Sequence, residues 1–169
     1  MEKHITYILA GGNIEVRENY IAEAALILQH SGITILRCSS LYESAPWGFE
    51  AKQNFLNQVF EISTSLTPEE LLHLLLTTEQ QLGRKRTNKA GYNSRTIDLD
   101  ILFYDSQIVE SQSLTIPHPR IAERRFTLEP LNELISDFVH PVLRVDINTL
   151  LTRCKDQGKV SIYNPGNNE

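Results

Sequence analysis

Apolar positions recur along this chain with two periods, and the changes of period mark its elements. Ile5-Thr6-Tyr7-Ile8-Leu9-Ala10 is a β-branched and aromatic run that reads as a strand. Gly11-Gly12-Asn13 closes it with a turn that needs backbone freedom. From Glu18 to His30 the apolar residues Ile21, Ala24, Ala25 and Leu28 fall at helical spacing, and Gly32 follows as a stop. Ile33 to Tyr42 is a second strand, Ser44 to Phe49 a loop, and Asn54 to Leu66 a long alternating third strand. Thr67-Pro68-Glu69-Glu70 combines an N-cap, a proline in the first turn and a capping-box glutamate. The helix it opens runs to Leu82, where Gly83 ends it, and Ile97 to Tyr104 is again strand-like.

The order β-α-β-β-α-β predicts an α/β (α+β) domain with a ferredoxin-like core, an antiparallel sheet carrying both helices on one face. Past residue 106, Ile108-Val109 and Leu114-Thr115-Ile116 predict a hairpin. Short helices over Arg120–Glu133 and Ile147–Cys154 add to the periphery, making a three-layer sandwich. Residues 1–163 are expected to form one domain and 164–169 a flexible tail. This superfold hosts unrelated functions, so the chemistry has to be read from particular residues.

Composition narrows the classes. A net charge of −5 over 169 residues gives no global reason to expect nucleic acid or membrane binding. The strand pattern starts almost at Met1 with no leader ahead of it, and no apolar run is long enough to span a bilayer. Cys38 and Cys154 are far apart and form no CxxC, which fits a reduced, cytoplasmic protein, expected here as a monomer. Charge is unevenly spread, however. Arg84, Lys85, Arg86, Lys89, Arg95, Arg120, Arg124 and Arg125 make up half of the 16 Lys and Arg within a quarter of the chain. An acidic protein that gathers its arginines in this way suits a polyanionic small ligand such as a nucleoside triphosphate.

The arginines flank two acids in an otherwise apolar strand. Asp98 and Asp100 share a face, continued by Leu102 and Tyr104, while Ile97, Leu99, Ile101 and Phe103 fill the other. Neighbouring carboxylates in a buried strand are costly unless a cation sits between them, and hard oxygen ligands suit Mg²⁺ completed by phosphate oxygens. A strand end whose acids face water is the plain alternative. Four other segments can converge there, one of them the Gly11-Gly12-Asn13 turn, which lets backbone approach a ligand. Phe55 and Asn57 share a strand face after the Pro46-Trp47-Gly48 loop and offer an aromatic plate beside a bidentate amide, unless Phe55 is simply core. Gly83 to Arg95 is too polar to pack and is either a lid bringing arginines to phosphates or a solvated loop. His118, locked between Pro117 and Pro119, is followed by Arg124 and by Phe126, a second aromatic plate. No Walker loop and no G-x-G-x-x-G fingerprint occurs anywhere.

Taken in order, Gly11-Gly12-Asn13, Pro46-Trp47-Gly48 with Phe55-Leu56-Asn57, Gly83-Arg84-Lys85-Arg86, Arg95-Thr96-Ile97-Asp98-Leu99-Asp100 and Pro117-His118-Pro119 resemble the 6-hydroxymethyl-7,8-dihydropterin pyrophosphokinases of folate biosynthesis. The resemblance runs from residue 5 to residue 155. It implies transfer of pyrophosphate from ATP to the hydroxymethyl group of 6-hydroxymethyl-7,8-dihydropterin, release of AMP, and two Mg²⁺ ions. By the same resemblance Asp98 and Asp100 are the metal ligands, Phe55 and Phe126 sandwich the pterin, and Asn57 bonds its edge. Ser44, Ala45 and Trp47 line the pterin pocket. Arg84, Arg95, His118 and Arg124 hold ATP phosphates, with Glu79, Ile101 and Thr115 near the nucleotide, and Arg84 and Arg95 join the two aspartates as catalytic residues. The chain departs from the family pattern at Gly12, usually Ser, and at Tyr92-Asn93-Ser94 ahead of Arg95. Two other readings remain: a nucleotidyltransferase built on the same paired acids, and a regulatory domain that binds a nucleotide without consuming it.

Overall fold

The computed structural model describes residues 1–46, 53–83 and 96–165. In chain order its elements begin with β1 (His4–Gly12), α1 (Arg17–His30), β2 (Thr34–Cys38), β3 (Tyr42–Ser44), β4 (Phe55–Thr64) and α2 (Pro68–Gln81). They continue with β5 (Asp98–Tyr104), β6 (Val109–Glu110), β7 (Thr115–Ile116), a 3-10 turn at Ile121–Glu123, α3 (Arg125–Ile135), α4 (Ile147–Arg153) and β8 (Val160–Ile162). The main sheet runs β5-β1-β4-β3-β8 with β2 also paired to β4, every pairing antiparallel, and β6 and β7 form the expected hairpin.

Each face of the sheet has its own core. Ile21, Ala24 and Leu28 of α1 and Leu71 and Leu75 of α2 bury Ile8, Ala10, Leu56 and Ile62. Leu128 and Leu131 of α3 and Ile147 and Leu150 of α4 bury Tyr7, Leu9, Val59, Leu102 and Phe103 on the opposite face. Coverage on both sides explains why β1 is a continuous apolar run. The short C-terminal helices therefore form the third layer of the sandwich and own half of its core, where the sequence pattern had placed them at the periphery. The α2 start follows its sequence: the Thr67 side chain accepts from Glu70 N, and Glu70 answers from its carboxylate to Thr67 N.

Other boundaries differ from the periodic reading, each for a local reason. The expected strand 33–42 is two strands, because residues 39–41 oppose only residues 58 and 59 of β4. The Ser39 hydroxyl accepts from Val59 N, and the displaced Ser40 N–H donates to Glu133 of α3. In β5 the partner of Tyr7 is Phe103 but that of Ile8 is Ile101, so Leu102 is an extra residue. That bulge puts Leu102 and Phe103 together on the α3/α4 side and turns Tyr104 to the α1/α2 side, reversing the expected faces of Phe103 and Tyr104. The expected helix from Arg120 breaks at Arg124, whose backbone is extended, before α3 begins. No periodicity announced β8, a three-residue partner for the edge of β3.

The register builds a polar row across the α3/α4 side where β1 ends: Asp98 pairs with Gly11, Gly11 with Asn57, and Asn57 with Tyr42. Asn57 Nδ2 donates to Ser44 Oγ at 2.9 Å, which locks its amide. A Cβ on Gly11 would stand 2.6 Å from Asn57 Oδ1. Gly11→Ala is therefore expected to lower the thermal midpoint by roughly 3–8 °C, read by calorimetry. Two rows away, Glu61 accepts from the Tyr7 hydroxyl and from Arg37, each at 2.7 Å. Arg37 also donates to Leu134 O, tying β2 to the end of α3. The Arg37 guanidinium holds the Glu61 carboxyl below its ordinary range despite burial. A depressed folded value means that Glu61 stabilises the fold above the unfolded carboxylate range and that this contribution fades as pH falls through the folded value. In urea titrations Glu61→Gln should cost about 1–2 kcal/mol at pH 7, with the gap to the native protein closing in acid below about pH 4.

Candidate functional site

The sequence-predicted residues gather where β1 ends, β4 and β5 begin and α3 starts. Asp98 and Asp100 pair with Gly11 and Leu9, so both carboxylates lie on the α3/α4 side, half-buried, Asp100 in the last row of the apolar core and Asp98 one row beyond it. The strand carrying them is at the edge of the sheet. Glu79 of α2, only 2% exposed, accepts from the N–H of Leu99 at 2.7 Å and so holds that edge between the two aspartates. Its carboxylate therefore has a structural hold on the acid pair, a role the sequence did not suggest.

Phe55 and Asn57 of β4 and Ser44 of β3 stand on the same side of the sheet as the acids. Asn57 is 3% exposed, and the Ser44 hydroxyl sets its orientation. Ala45 follows on the surface. At the start of α3, Phe126 packs against the adjoining core with the Arg124 guanidinium 5.5 Å from its ring centroid. Arg124 is buried, and burial brings its guanidinium down to about 10, which leaves it charged at neutral pH. The N–H of Arg125, in the first turn of α3, has no acceptor within the helix and donates to Asp156 Oδ2; further on, Pro130 deprives the Phe126 carbonyl of its helical donor.

His118 N donates to Leu102 O at the β5 bulge, which carries the Pro117-His118-Pro119 segment along the edge of the acid strand. Its ring Nδ1 accepts from Arg120 N, so the neutral ring keeps its proton on Nε2. Burial lowers the imidazole pKa, against the nearby Asp98 charge that raises it, and the ring is neutral at pH 7. Thr115 is exposed on β7. Ile101 is not brought to the site by its side chain, which fills the α1/α2-side core at 4% exposure. Trp47, Arg84 and Arg95 lie outside the described residues, as do Lys85, Arg86, Lys89 and Tyr92.

Sequence reasoning missed the groups that hold these elements in place. Arg17 at the start of α1 donates to Glu43 at 2.7 Å and to Asn54 O at 2.9 Å, while Asp156 and Tyr163 come from the C-terminal segment. All are charge or ring partners distant in sequence, and no local signal marks them. As a donor set, Asp98 and Asp100 supply two carboxylates, and among the described residues no group of three His, Cys, Asp or Glu forms a complete cage. A partial, all-oxygen set fits a hard cation that takes its other ligands from phosphate and water.

The model of the 7,8-dihydro-6-hydroxymethylpterin-pyrophosphokinase family matches residues 7–136. The 2-amino-4-hydroxy-6-hydroxymethyldihydropteridine pyrophosphokinase of Bacillus subtilis is 46% identical over 132 residues, covering 78% of each chain. That of Aquifex aeolicus is 39% identical over 138 residues, 82% of this chain and 84% of the relative. The folic acid synthesis protein fol1 of Pneumocystis carinii is 40% identical over 156 residues, 92% of this chain and only 21% of that protein. Among solved structures, the HPPK-DHPS of Plasmodium falciparum with pteroate superposes with a TM-score of 0.73 at 18% identity, over 89% of this chain and 42% of that one. That likeness speaks for the fold, and among the described residues no helix is long and apolar enough to cross a membrane. With the polar row, the acid pair and the aromatic residues on one sheet face and relatives of this closeness along most of its length, the chain belongs to the 7,8-dihydro-6-hydroxymethylpterin-pyrophosphokinase family.

Proposed function

We propose that this protein transfers the terminal diphosphate of ATP to the hydroxymethyl group of 6-hydroxymethyl-7,8-dihydropterin, releasing AMP, as a step of folate biosynthesis. Family membership supports the reaction class. The observation that carries it to this site is the locked Asn57 amide standing in one registered row with Asp98, with Phe55 two residues away on the same face of β4. A flat heterocycle needs aromatic faces and a fixed amide on its edge, and a triphosphate needs cations and carboxylate-held metal. Both requirements meet here.

In the proposed reaction the hydroxymethyl oxygen attacks the β-phosphorus and loses its proton. The bond from that phosphorus to the α,β-bridging oxygen breaks, and AMP leaves. Such transfers ask the protein chiefly for positioning and charge neutralisation. Phe55 and Phe126 hold the ring, and Asn57, kept in one orientation by Ser44, reads its edge, with Ser44, Ala45 and Trp47 lining the pocket. Arg124, a buried cation, and the Nε2–H of His118 face the phosphates, together with Arg84 and Arg95. Glu79 keeps the acid strand in place, and Thr115 and the backbone of Ile101 border the nucleotide. Asp98 and Asp100 would hold Mg²⁺, two ions in this reading, which supply charge neutralisation across the triphosphate when bound. The unit is proposed as one domain over residues 1–163, supported by β8 pairing into the main sheet. A cytoplasmic monomer is part of the same proposal, in which a reducing compartment keeps Cys38 and Cys154 as the free thiols they are.

The decisive experiment mixes the purified chain with ATP and the dihydropterin and identifies the nucleotide released. AMP should appear only with both substrates and Mg²⁺ present, and pyrophosphate as the released product would overturn the reading. Asp98→Ala and Asp100→Ala should each lower turnover by about 10³-fold or more while the unfolding midpoint stays at or above the native value, since two carboxylates that repel each other become one. Near-native turnover in either variant would remove the acid pair from the mechanism.

A further inference from the structure

The C-terminal segment touches the candidate pocket's supports on two sides. Leaving α4, the chain passes the start of α3, where Asp156 Oδ2 accepts from Arg125 N at 3.1 Å. Arg125 returns two bonds, from Nε to Asp156 O at 3.0 Å and from its terminal nitrogen to Cys154 O at 3.3 Å. The second carboxylate oxygen of Asp156 accepts from Gly158 N at 2.8 Å, which fixes the carboxylate itself. Arg124 and Phe126 flank the residue so held. The chain then forms β8, in which Val160 pairs with Ser44 and Ile162 with Tyr42, and Tyr163 N donates to Leu41 O. The Tyr163 ring lies 5.2 Å beneath the buried Arg17 guanidinium. Arg17 in turn holds Glu43, next to Ser44, and the carbonyl of Asn54, next to Phe55.

Resting on the function proposed above, we infer that Cys154–Tyr163 is a strap that sets the separation between the two walls of the pterin pocket, with Asp156 and Tyr163 as positioning residues. One end fixes the wall that carries Phe126 and the other fixes the wall that carries Ser44, Asn57 and Phe55. The family-model match ends at residue 136, so this support lies outside the residues that model matches. The physical requirement is strict, because a flat ring held between two faces gains dispersion energy from both. A gap wider by 0.5–1 Å on one side already forfeits about a quarter to a half of that contact. The acid pair and Glu79 stand on β5 and α2, which the strap does not bond, but Arg124 adjoins the residue that Asp156 holds, so the Tyr163 end acts on the pterin alone and the Asp156 end on both substrates.

The test compares Asp156→Ala and Tyr163→Ala with Asp156→Asn and Tyr163→Phe in the full chain. Asparagine keeps an oxygen for Arg125 N, and phenylalanine keeps a ring face for Arg17. Measured quantities are KM for 6-hydroxymethyl-7,8-dihydropterin and for ATP, kcat, and Kd for oxidised 6-hydroxymethylpterin by its fluorescence. Each alanine variant should raise pterin KM and Kd by about five- to tenfold; Tyr163→Ala should keep ATP KM and kcat within about twofold of native, whereas Asp156→Ala, beside Arg124, should raise ATP KM as well. The two conservative variants should restore most of the loss. Unchanged pterin binding in both alanine variants overturns the strap, and so does a parallel rise of pterin and ATP KM in Tyr163→Ala that follows a loss of thermal stability. A native chain that neither binds the pterin nor releases AMP brings down the functional reading and the strap's role with it. A native chain that does both while the alanine variants match it brings down the strap alone.

Discussion

Gly11 lies between Asp98 on one side and Asn57 on the other, and the register that puts it there has to hold for both neighbouring strands at once. A slip of one residue in either ladder would send the whole polar set to the opposite face. The acids would then enter the α1/α2-side core and the apolar residues of β1 would meet the ligand. What prevents the slip is burial on both faces: Ile8 and Ala10 are committed to one core and Tyr7 and Leu9 to the other. The absence of a Cβ on Gly11 lets the Asn57 amide lie flat against the central strand. The site thus depends on hydrophobic packing a few residues away, which fixes the position of groups that could not fix it themselves.

Around that row the polar groups are held by pairs of high sequence separation. Glu79 takes an edge N–H of β5, Glu133 takes the displaced amide of Ser40 and the Tyr42 hydroxyl, and Glu61 joins Tyr7 to Arg37. Glu79 and Glu61 are buried carboxylates whose cost of leaving water is met by directed donors, while Glu133 accepts its two bonds from the surface. Their common effect is to pin the ends and bends of strands, where ladder bonds run out. A site that works by positioning needs that pinning more than it needs a reactive side chain.

The division of labour between the two faces follows. The α1/α2 side is mainly apolar and carries stability, whereas the α3/α4 side gives up its apolar character where β1 ends and becomes the floor of the candidate pocket. Arg124 marks the boundary. It is buried and still charged, held over the Phe126 ring at the point where α3 rises from the sheet. A cation in such a place is stabilised further when an anion arrives, which is the electrostatic counterpart of the locked amide for the heterocycle.

Period, capping chemistry and motif spacing determined most of the architecture from sequence alone. The βαββαβ order, the Thr67 capping box, the hairpin, and Asp98, Phe55 and Asn57 as one constellation were all legible, because each rests on local geometry with a fixed repeat. The bulge at Leu102, the break at Ser39, the extended Arg124 ahead of α3, and β8 were not. Each adds or removes one residue, or pairs segments far apart, and periodicity carries no information about a partner strand's count. Ile101 shows the limit at the site itself: its neighbours are site residues, but alternation buries its side chain in the core. Arg17, Asp156 and Tyr163 were invisible for the same reason. Their meaning lies in partners 26 to 146 positions away, and only the folded chain, by bringing those partners within hydrogen-bonding and ring-contact distance, decided that they hold the pocket.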